Sequence, residues 1–459
     1  MGQCPFFPKP HKNKASLLTT FLLKRRSWLD GLYEKSYKMK SGQVKMPGFD
    51  LYIVNHPKDV RRVMVDEVQN FPKSNWLHQL LKPLLGESIF TTNGGVWQKQ
   101  RELLRPSFEQ ARITKVFGLM NEAVEDMMKK LARYPNGAII EIDEVMTFVT
   151  ADVIFRTILS QKLDESQGKE VLDAFVVFQE QTVHTAIRKM FCIPQWISYL
   201  LGERKRMRAG DTIRRVLADI IKPRYDAMSA GKNGEYEDIL ASLLEVIDPQ
   251  SGERFSFEEI LDQVAMLFLA GHETSASSLT WTLYILSISP QEQEKAYREI
   301  IEVAGEEILT LQHLRKLKYV SNIFKESLRL YPPVGFFART AKQEVKIQNK
   351  LVKEGSGVVV APWLIQRHES YWKNPHEFDP SRFEEKNAIQ KDTYLPFGMG
   401  ERICIGQGFA MQEAVLILAN ILRTYELKLQ ENFVPDVVGR LTIRSANGMQ
   451  IQFTQRKNK

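Results

Sequence analysis

The sequence predicts a mainly α-helical fold with small β-sheets, built as one large domain, and three observations carry that expectation. Helical periodicity recurs in long segments, roughly 96–106, 112–133, 143–160, 166–190 and 205–229, separated by loop signals such as Pro135-Asn136-Gly137 and Gly231-Lys232-Asn233-Gly234. An apolar-rich run from Ser256 to Pro290 would make a central helix of roughly 50 Å at ~1.5 Å per residue, with Ser256 as N-cap and Glu259 three residues on. Strand-like pieces, by contrast, are short and scattered.

In chain order, the first strand signal is the alternating run Phe49-Asp50-Leu51-Tyr52-Ile53-Val54, closed by Asn55-His56-Pro57 and followed by a short helix from Lys58. Further sheet is expected past Pro332, in Gly357-Val358-Val359-Val360 and Met449-Gln450-Ile451-Gln452-Phe453. Asp262, His272 and Glu273 interrupt the long apolar run and argue against a membrane span. No linker, low-complexity tract or repeat divides the chain. Residues 49–459 therefore read as a single domain without a fused reductase, preceded by an N-terminal segment and first helix at 1–48.

Composition narrows the function classes. A chain of 459 residues with 43% hydrophobic content can bury a large core. Its three cysteines, Cys4, Cys192 and Cys404, argue against a disulfide framework and for a reducing cytosol. The formal charge of +8 is modest, and its densest runs, Lys24-Arg25-Arg26 and Arg204-Lys205-Arg206, lack any nucleic-acid motif beside them. A nucleic-acid partner is set aside; a basic surface suits an acidic electron-transfer protein better. The apolar stretch Ala15–Leu23, flanked by Lys12, Lys14 and Lys24, is short of the ~20 residues that span a bilayer and has no cleavage site. Met1-Gly2 lacks the Ser or Thr that myristoylation needs, because Phe6 stands there. The expectation is a soluble, cytoplasmic, bacterial-type protein with no transmembrane anchor, and a monomer.

The most informative stretch is Phe397-Gly398-Met399-Gly400-Glu401-Arg402-Ile403-Cys404-Ile405-Gly406, a cysteine in a glycine-rich loop just before a helix-like run from Gly408 to Leu422. Freed backbone N–H groups and the positive end of that helix can both favour a thiolate at Cys404. Gly398, Gly400 and Gly406 permit positive φ and leave room for a flat cofactor, and Arg402 can reach a propionate. A buried cysteine at a helix start is the bland alternative, but it does not explain the glycines, aromatic and arginine in fixed register. The run resembles Phe-Gly-x-Gly-x-Arg-x-Cys-x-Gly, the haem-binding loop of the cytochrome P-450 family. The resemblance implies that Cys404 is the proximal ligand of a haem b iron, with Phe397, Gly398, Arg402 and Gly406 forming its loop.

Other elements follow in the family's order, so that the resemblance spans roughly 50 to 455. Ala270-Gly271-His272-Glu273-Thr274 places an acid and an alcohol inside the long apolar run. Read from the residues alone, a helix kink with an internally bonded polar pair and a helix bent or widened at Gly271 into a polar groove fit equally. By resemblance it is the Ala-Gly-x-Glu-Thr oxygen-binding segment, which implies that Thr274 holds water where dioxygen is activated and Glu273 belongs to the proton relay. His272 is expected neither to ligate iron nor to act as a base. Glu326 and Arg329 share one helix face, and with Arg382 they resemble the family's Glu-x-x-Arg pair and meander arginine, implying a buried lock behind the cysteine loop. Ser381 stands where a glutamate often precedes that arginine. Trp97 with Arg101, and Arg339, are taken singly ordinary surface positions; by resemblance they meet the haem propionates.

Substrate choice is less legible. Candidate pocket walls are Trp76, Leu80, Ile89, Phe90, Phe178, Val183, Met266, Ala270, Val334, Phe336 and Ala446, mostly apolar, which favours a small hydrophobic substrate such as a fatty acid, terpene or steroid. No arginine identifies itself as a carboxylate anchor. The expected activity is a monooxygenase that uses O2 and electrons from a ferredoxin with its reductase or from a flavoprotein reductase. A peroxide-driven peroxygenase or isomerase on the same scaffold, and a non-catalytic haem sensor, are the alternatives.

Overall fold

Ser256 accepts a hydrogen bond from the Glu259 N–H while the Glu259 side chain returns to the Ser256 N–H, and from this capping box one helix runs unbroken from Phe257 to Ser287. The computed structural model describes residues 4–12, 27–46, 49–163, 165–190, 193–232, 234, 236–384 and 389–456. The longer helices are α1 (Asn75–Leu85), α2 (Gly94–Leu104), α3 (Gln110–Leu131), α4 (Ile142–Leu159), α5 (Glu165–Met190), α6 (Arg204–Ser229), α7 (Phe257–Ser287), α8 (Pro290–Ala304), α9 (Lys318–Leu330) and α10 (Gln407–Thr424). The five early helical segments read from periodicity are thus present, each within about two residues of its expected ends.

α7 is the axis of the packing, buried almost all round and in contact with α1, α4, α6, α9 and α10. Such a helix has no solvated face to keep polar, which is why its sequence is apolar throughout rather than striped. Beside it, α5 packs on α6 as a pair.

The sheets are small. β1 (Ser41–Met46), β2 (Phe49–Val54), β7 (Gly357–Val360) and β4 (Phe337–Thr340) form one sheet in the order β1-β2-β7-β4, with Leu51 opposite Gly357 in the parallel β2–β7 pair. β3 (Ala138–Glu141), β11 (Gln450–Gln455) and β8 (Tyr425–Leu429) form a second in the order β3-β11-β8, while β5 (Val345–Ile347) pairs with β6 (Lys350–Val352) and β9 (Val437–Gly439) with β10 (Ile443–Ser445). β9–β10 lies against α7: Ser277 Oγ and Trp281 Nε1 both donate to the Ile443 carbonyl, at 2.7 and 2.8 Å.

The division drawn at residue 48 falls inside the β1–β2 hairpin, where Ser41 stands opposite Val54. In place of a first helix, the described part of 1–48 holds 3-10 turns at Trp28–Gly31 and Glu34–Tyr37. Its first residues also join the core: the Phe6 N–H donates to Tyr284 Oη at 3.0 Å, and Phe7 stacks on Trp363. The apolar stretch Ala15–Leu23 lies outside the described residues. Among the described residues no helix is long and apolar enough to cross a membrane.

Candidate active site

Of the α7 residues between Ile260 and Ser287, all but Ala270, Gly271 and Thr274 are buried. At spacing i, i+1 and i+4 these three share one helix face, so past its first turn this helix opens at the segment Ala270-Gly271-His272-Glu273-Thr274. The Thr274 hydroxyl donates to the Ala270 carbonyl at 2.7 Å, the back-bond expected of it. α7 is α-helix without a break through Gly271. Glycine is required there for close packing: a Cβ would come within 2.5 Å of Ile154 Cδ1 on α4.

His272 and Glu273 lie off that face, fully buried. His272 Nδ1 is 2.6 Å from the Phe268 carbonyl and its ring meets Phe175 edge-on; burial lowers its pKa to about 4, so the ring is neutral. Glu273 is gripped by Arg444 through Nε to Oε1 (3.1 Å) and Nη2 to Oε2 (2.5 Å), and Thr442 Oγ1 donates to Oε1. Burial alone would raise its pKa, but the Arg444 charge and bonds outweigh this and hold it below the ordinary range. Arg444 reaches on to Asp143 at 2.6 Å.

In the cysteine loop, Gly398 and Gly400 do adopt positive φ (73° and 71°), and at Gly400 a Cβ would meet the Met64 carbonyl at 2.7 Å. Gly406 does not need that freedom, since its φ is −87°. Its N–H instead bonds the Cys404 sulfur. The Cys404 N–H donates to the Phe397 carbonyl at 2.9 Å, closing the loop, and α10 starts three residues on. Cys404 keeps accessible surface although it sits deep in the fold. Burial raises its pKa, opposed by the Gly406 N–H and the Arg101 charge. Coordination to a cation would favour the thiolate further.

Four basic side chains converge beside this loop. Arg339 is buried, with its Nη1 donating to the Ala338 carbonyl and its Nε unpartnered. Arg402 donates through Nη1 to the Phe71 carbonyl at 3.1 Å, stands over the Trp97 ring, and also has an unpartnered Nε. Arg101 on α2 senses the Cys404 charge. The fourth is Lys73, which sequence reasoning missed: its Nζ donates to the carbonyls of Ile89 and Thr92 and sits 5.6 Å from the Trp97 centroid. Burial, then repulsion from Arg402, Arg339 and Arg101, lowers its pKa to about 6, and burial with Arg402 lowers that of Arg339 to about 10. Among the described residues the carboxylate paired with this group is Glu401, 3.8 Å from Arg402 Nε, so the cluster is short of negative charge. This donor set fits two propionates.

Behind the loop, Arg329 grips Glu326 with two bonds of 2.7 and 2.8 Å and gives its remaining donors to the carbonyls of Gln366, Pro375 and Glu377. Arg382 Nε adds 3.2 Å to Glu326 Oε1. Gln366, also missed, completes the link: it donates to the Leu328 and Arg329 carbonyls and accepts from the Leu395 N–H at 2.7 Å, two residues before Phe397. No sequence pattern marks it.

The pocket candidates are placed less uniformly. The Ile89 N–H bonds Gln263 Oε1, which sets the Ile89-Phe90 turn over α7 upstream of Ala270. Trp76, Val183, Val334 and Phe336 are half-buried, Phe90 is exposed, and Leu80, Phe178 and Met266 are buried in the core. Phe336 packs edge-on against Trp28. Ala446 sits in an exposed turn after β10, its N–H on the Asp436 carbonyl.

A family model for Cytochrome P450 matches residues 25–451. The chain belongs to the cytochrome P450 family. It is 30% identical over 382 residues to a cytokinin hydroxylase of Arabidopsis thaliana, covering 82% of this chain and 73% of that one. A cyclooctatin synthase of Streptomyces melanosporofaciens is 30% identical over 381 residues, covering 82% and 81%. The crystal structure of the heme domain of cytochrome P450DA superposes with a TM-score of 0.82 at 25% identity, covering 99% of both chains. As a cytochrome P450 this protein is a haem-thiolate monooxygenase, with the fold expected from its sequence.

Proposed function

We propose that this cytochrome P450 inserts one oxygen atom of O2 into an apolar small molecule, with iron protoporphyrin IX held by Cys404 and electrons delivered by a separate redox protein. Two observations carry the reading: Cys404 keeps accessible surface within the fold, and α7 is open at Ala270, Gly271 and Thr274. Bound haem would supply the iron redox chemistry that activates dioxygen. Lys73, Arg101, Arg339 and Arg402 would hold its propionates, with Trp97 packed between Lys73 and Arg402. Arg339 and Arg402 would each gain an acceptor for an Nε that the protein leaves unpartnered.

Thr274 is the residue of α7 with a hydroxyl on the open face, so it orients water and the proton that passes through it. Glu273 feeds that proton from behind. Side-chain exposure rises from 5% at Glu273 to 11% at Arg444 and 24% at Asp143, a polar route from core to solvent. Because Arg444 keeps Glu273 ionised, proton transfer through it requires that ion pair to loosen. The Glu326–Arg329–Arg382 cluster acts only by fixing the loop that presents Cys404.

Ile89, Phe90, Val334 and Phe336 supply the apolar contact surface. For the redox partner, a cleft of about 650 Å³ opens where α2 meets residues 248–250 and the cysteine loop. It is lined by Lys99, Arg101 and Arg105 together with Glu102, Asp248 and Glu401, so recognition there uses both signs of charge rather than a plain basic patch. The decisive experiment is Cys404→Ser. The reduced carbon monoxide complex of the native protein should give the thiolate-type band and the variant should lose it; a variant that kept the band would end this reading.

A further inference from the structure

The connection between α5 and α6 reverses the usual arrangement of a protein surface, with polar groups inside and apolar ones outside. A short helical turn, Gln195–Ser198, runs into a wider one at Tyr199–Glu203, and together they form a finger before α6 begins at Arg204. Its inner side is polar. Ser198 is buried and accepts from Arg188 Nε at 3.1 Å, while Arg188 Nη1 donates to the Leu201 carbonyl at 3.1 Å and Nη2 to Thr185 Oγ1 at 2.9 Å. Gly202 closes the finger at a φ of 125°, where a Cβ would run into Gln181 Oε1. Bonds from beneath thus hold the finger in one shape.

Its outer side is apolar. Leu200 (75% exposed), Trp196 (69%) and Leu201 (57%) stand in solvent with Tyr199 and Ile193, and Leu200 is the most exposed large apolar side chain among the described residues. Elsewhere such side chains are exposed singly or in pairs, which is ordinary for a folded chain; five between residues 193 and 201 are not. Cations frame this tip. From Arg188 to Arg208 the sequence holds six Lys and Arg and one acid, Glu203, which is buried, whereas Arg204, Lys205 and Arg208 are exposed. A second copy of this chain docked here across a two-fold axis would set those cations against their own kind.

We propose that this finger docks on an anionic phospholipid surface. Trp196, Leu200 and Leu201 enter the boundary between headgroups and acyl chains, and Arg204, Lys205 and Arg208 meet the phosphates. Trp196 and Tyr199 suit that boundary because each joins an apolar ring to a polar N–H or O–H. The flanking cations gain from the negative potential of the leaflet, a gain that salt screens. The contact is interfacial, in keeping with a fold in which no described helix is long and apolar enough to cross a membrane. It stands apart from the haem chemistry, although an apolar substrate partitions into the same layer and would meet the enzyme there.

The test sediments the holoenzyme with vesicles of phosphatidylglycerol and, separately, of phosphatidylcholine, at low and high salt. Binding to phosphatidylglycerol should exceed that to phosphatidylcholine about tenfold or more, and should fall by a similar factor at high salt. Trp196→Ser combined with Leu200→Ser should weaken binding to phosphatidylglycerol about tenfold or more, as should Arg204→Gln combined with Lys205→Gln. All four positions are exposed, so both variants should keep the carbon monoxide band of the native holoenzyme, which shows that the fold is intact. Equal binding to both lipids, or none to phosphatidylglycerol, overturns the inference. So does binding that persists unchanged in either double variant, since it would belong to another part of the chain, the stretch Ala15–Leu23 included. Self-association without vesicle binding, abolished by Trp196→Ser with Leu200→Ser, would give the finger to a second copy and overturn it as well. A native protein without the thiolate-type band would be a failure of the monooxygenase reading and would leave the vesicle result to be judged on its own.

Discussion

Two of the regions in which this molecule buries arginine do so on opposite terms. In the lock behind the cysteine loop, every donor of Arg329 has an acceptor from the chain: both Glu326 oxygens and three backbone carbonyls. Beside the loop, Arg339 and Arg402 each keep an unpartnered Nε, and Lys73 is depressed by burial and by the arginines around it. A buried charge costs several kcal/mol unless it is paired, and a guanidinium does not escape by losing its proton. A cluster satisfied within the chain holds the fold together. A cluster left short of acceptors is shaped for an anion from outside.

The contrast breaks most visibly at the lock. Arg329→Ala strands the Glu326 carboxylate in the core and should cost about 3–5 kcal/mol, read as a fall in the midpoint of denaturant unfolding together with loss of haem from the loop. A loss below about 1 kcal/mol would mean that the lock behaves like a surface pair and that the comparison is wrong.

A buried carboxyl without a cation sharpens the rule from the other side, because it can neutralise itself. Glu413 on α10 accepts the Ser275 hydroxyl at 2.5 Å, its second oxygen has no partner, and burial raises its pKa to about 8, the Ser275 bond opposing. The folded state therefore keeps a proton that the unfolded chain gives up near pH 4.5. Its contribution to stability is complete below that pH and is lost as pH rises to about 8, by at most about 1.4 kcal/mol per pH unit. Glu413→Gln, which keeps the Ser275 partner without a titrating group, should flatten the stability profile across that window; an unchanged slope would place the proton elsewhere.

The smallest effect is expected in the unsatisfied cluster. Arg339→Met removes a charge that makes few bonds, so the haem-free protein should be no less stable and gain ~1 kcal/mol from relieved repulsion, while haem dissociates about tenfold faster. Unfolding and haem-transfer measurements on one variant check both signs. A destabilised haem-free protein would make this arginine part of the lock instead.

Much was legible in the sequence because it depends on local spacing. The long helices follow from apolar periodicity, the start of α7 from Ser256 and Glu259, and the cysteine loop from glycines whose positive φ at 398 and 400 few other residues tolerate. The Glu326–Arg329 pair is likewise local, three residues apart on one helix face. What only the tertiary structure decided are partnerships across hundreds of residues. Arg444 holds Glu273, Gln366 joins Arg329 to Leu395, and Lys73 meets Arg101, Arg339 and Arg402. No spacing announces these, since a side chain's charge state and partners depend on what the fold brings within a few ångströms and how much water it removes. The thiol of Cys404 makes the point within a single residue: the loop around it is written in sequence, but burial raises its pKa against the loop's own N–H, and only the folded interior sets that balance.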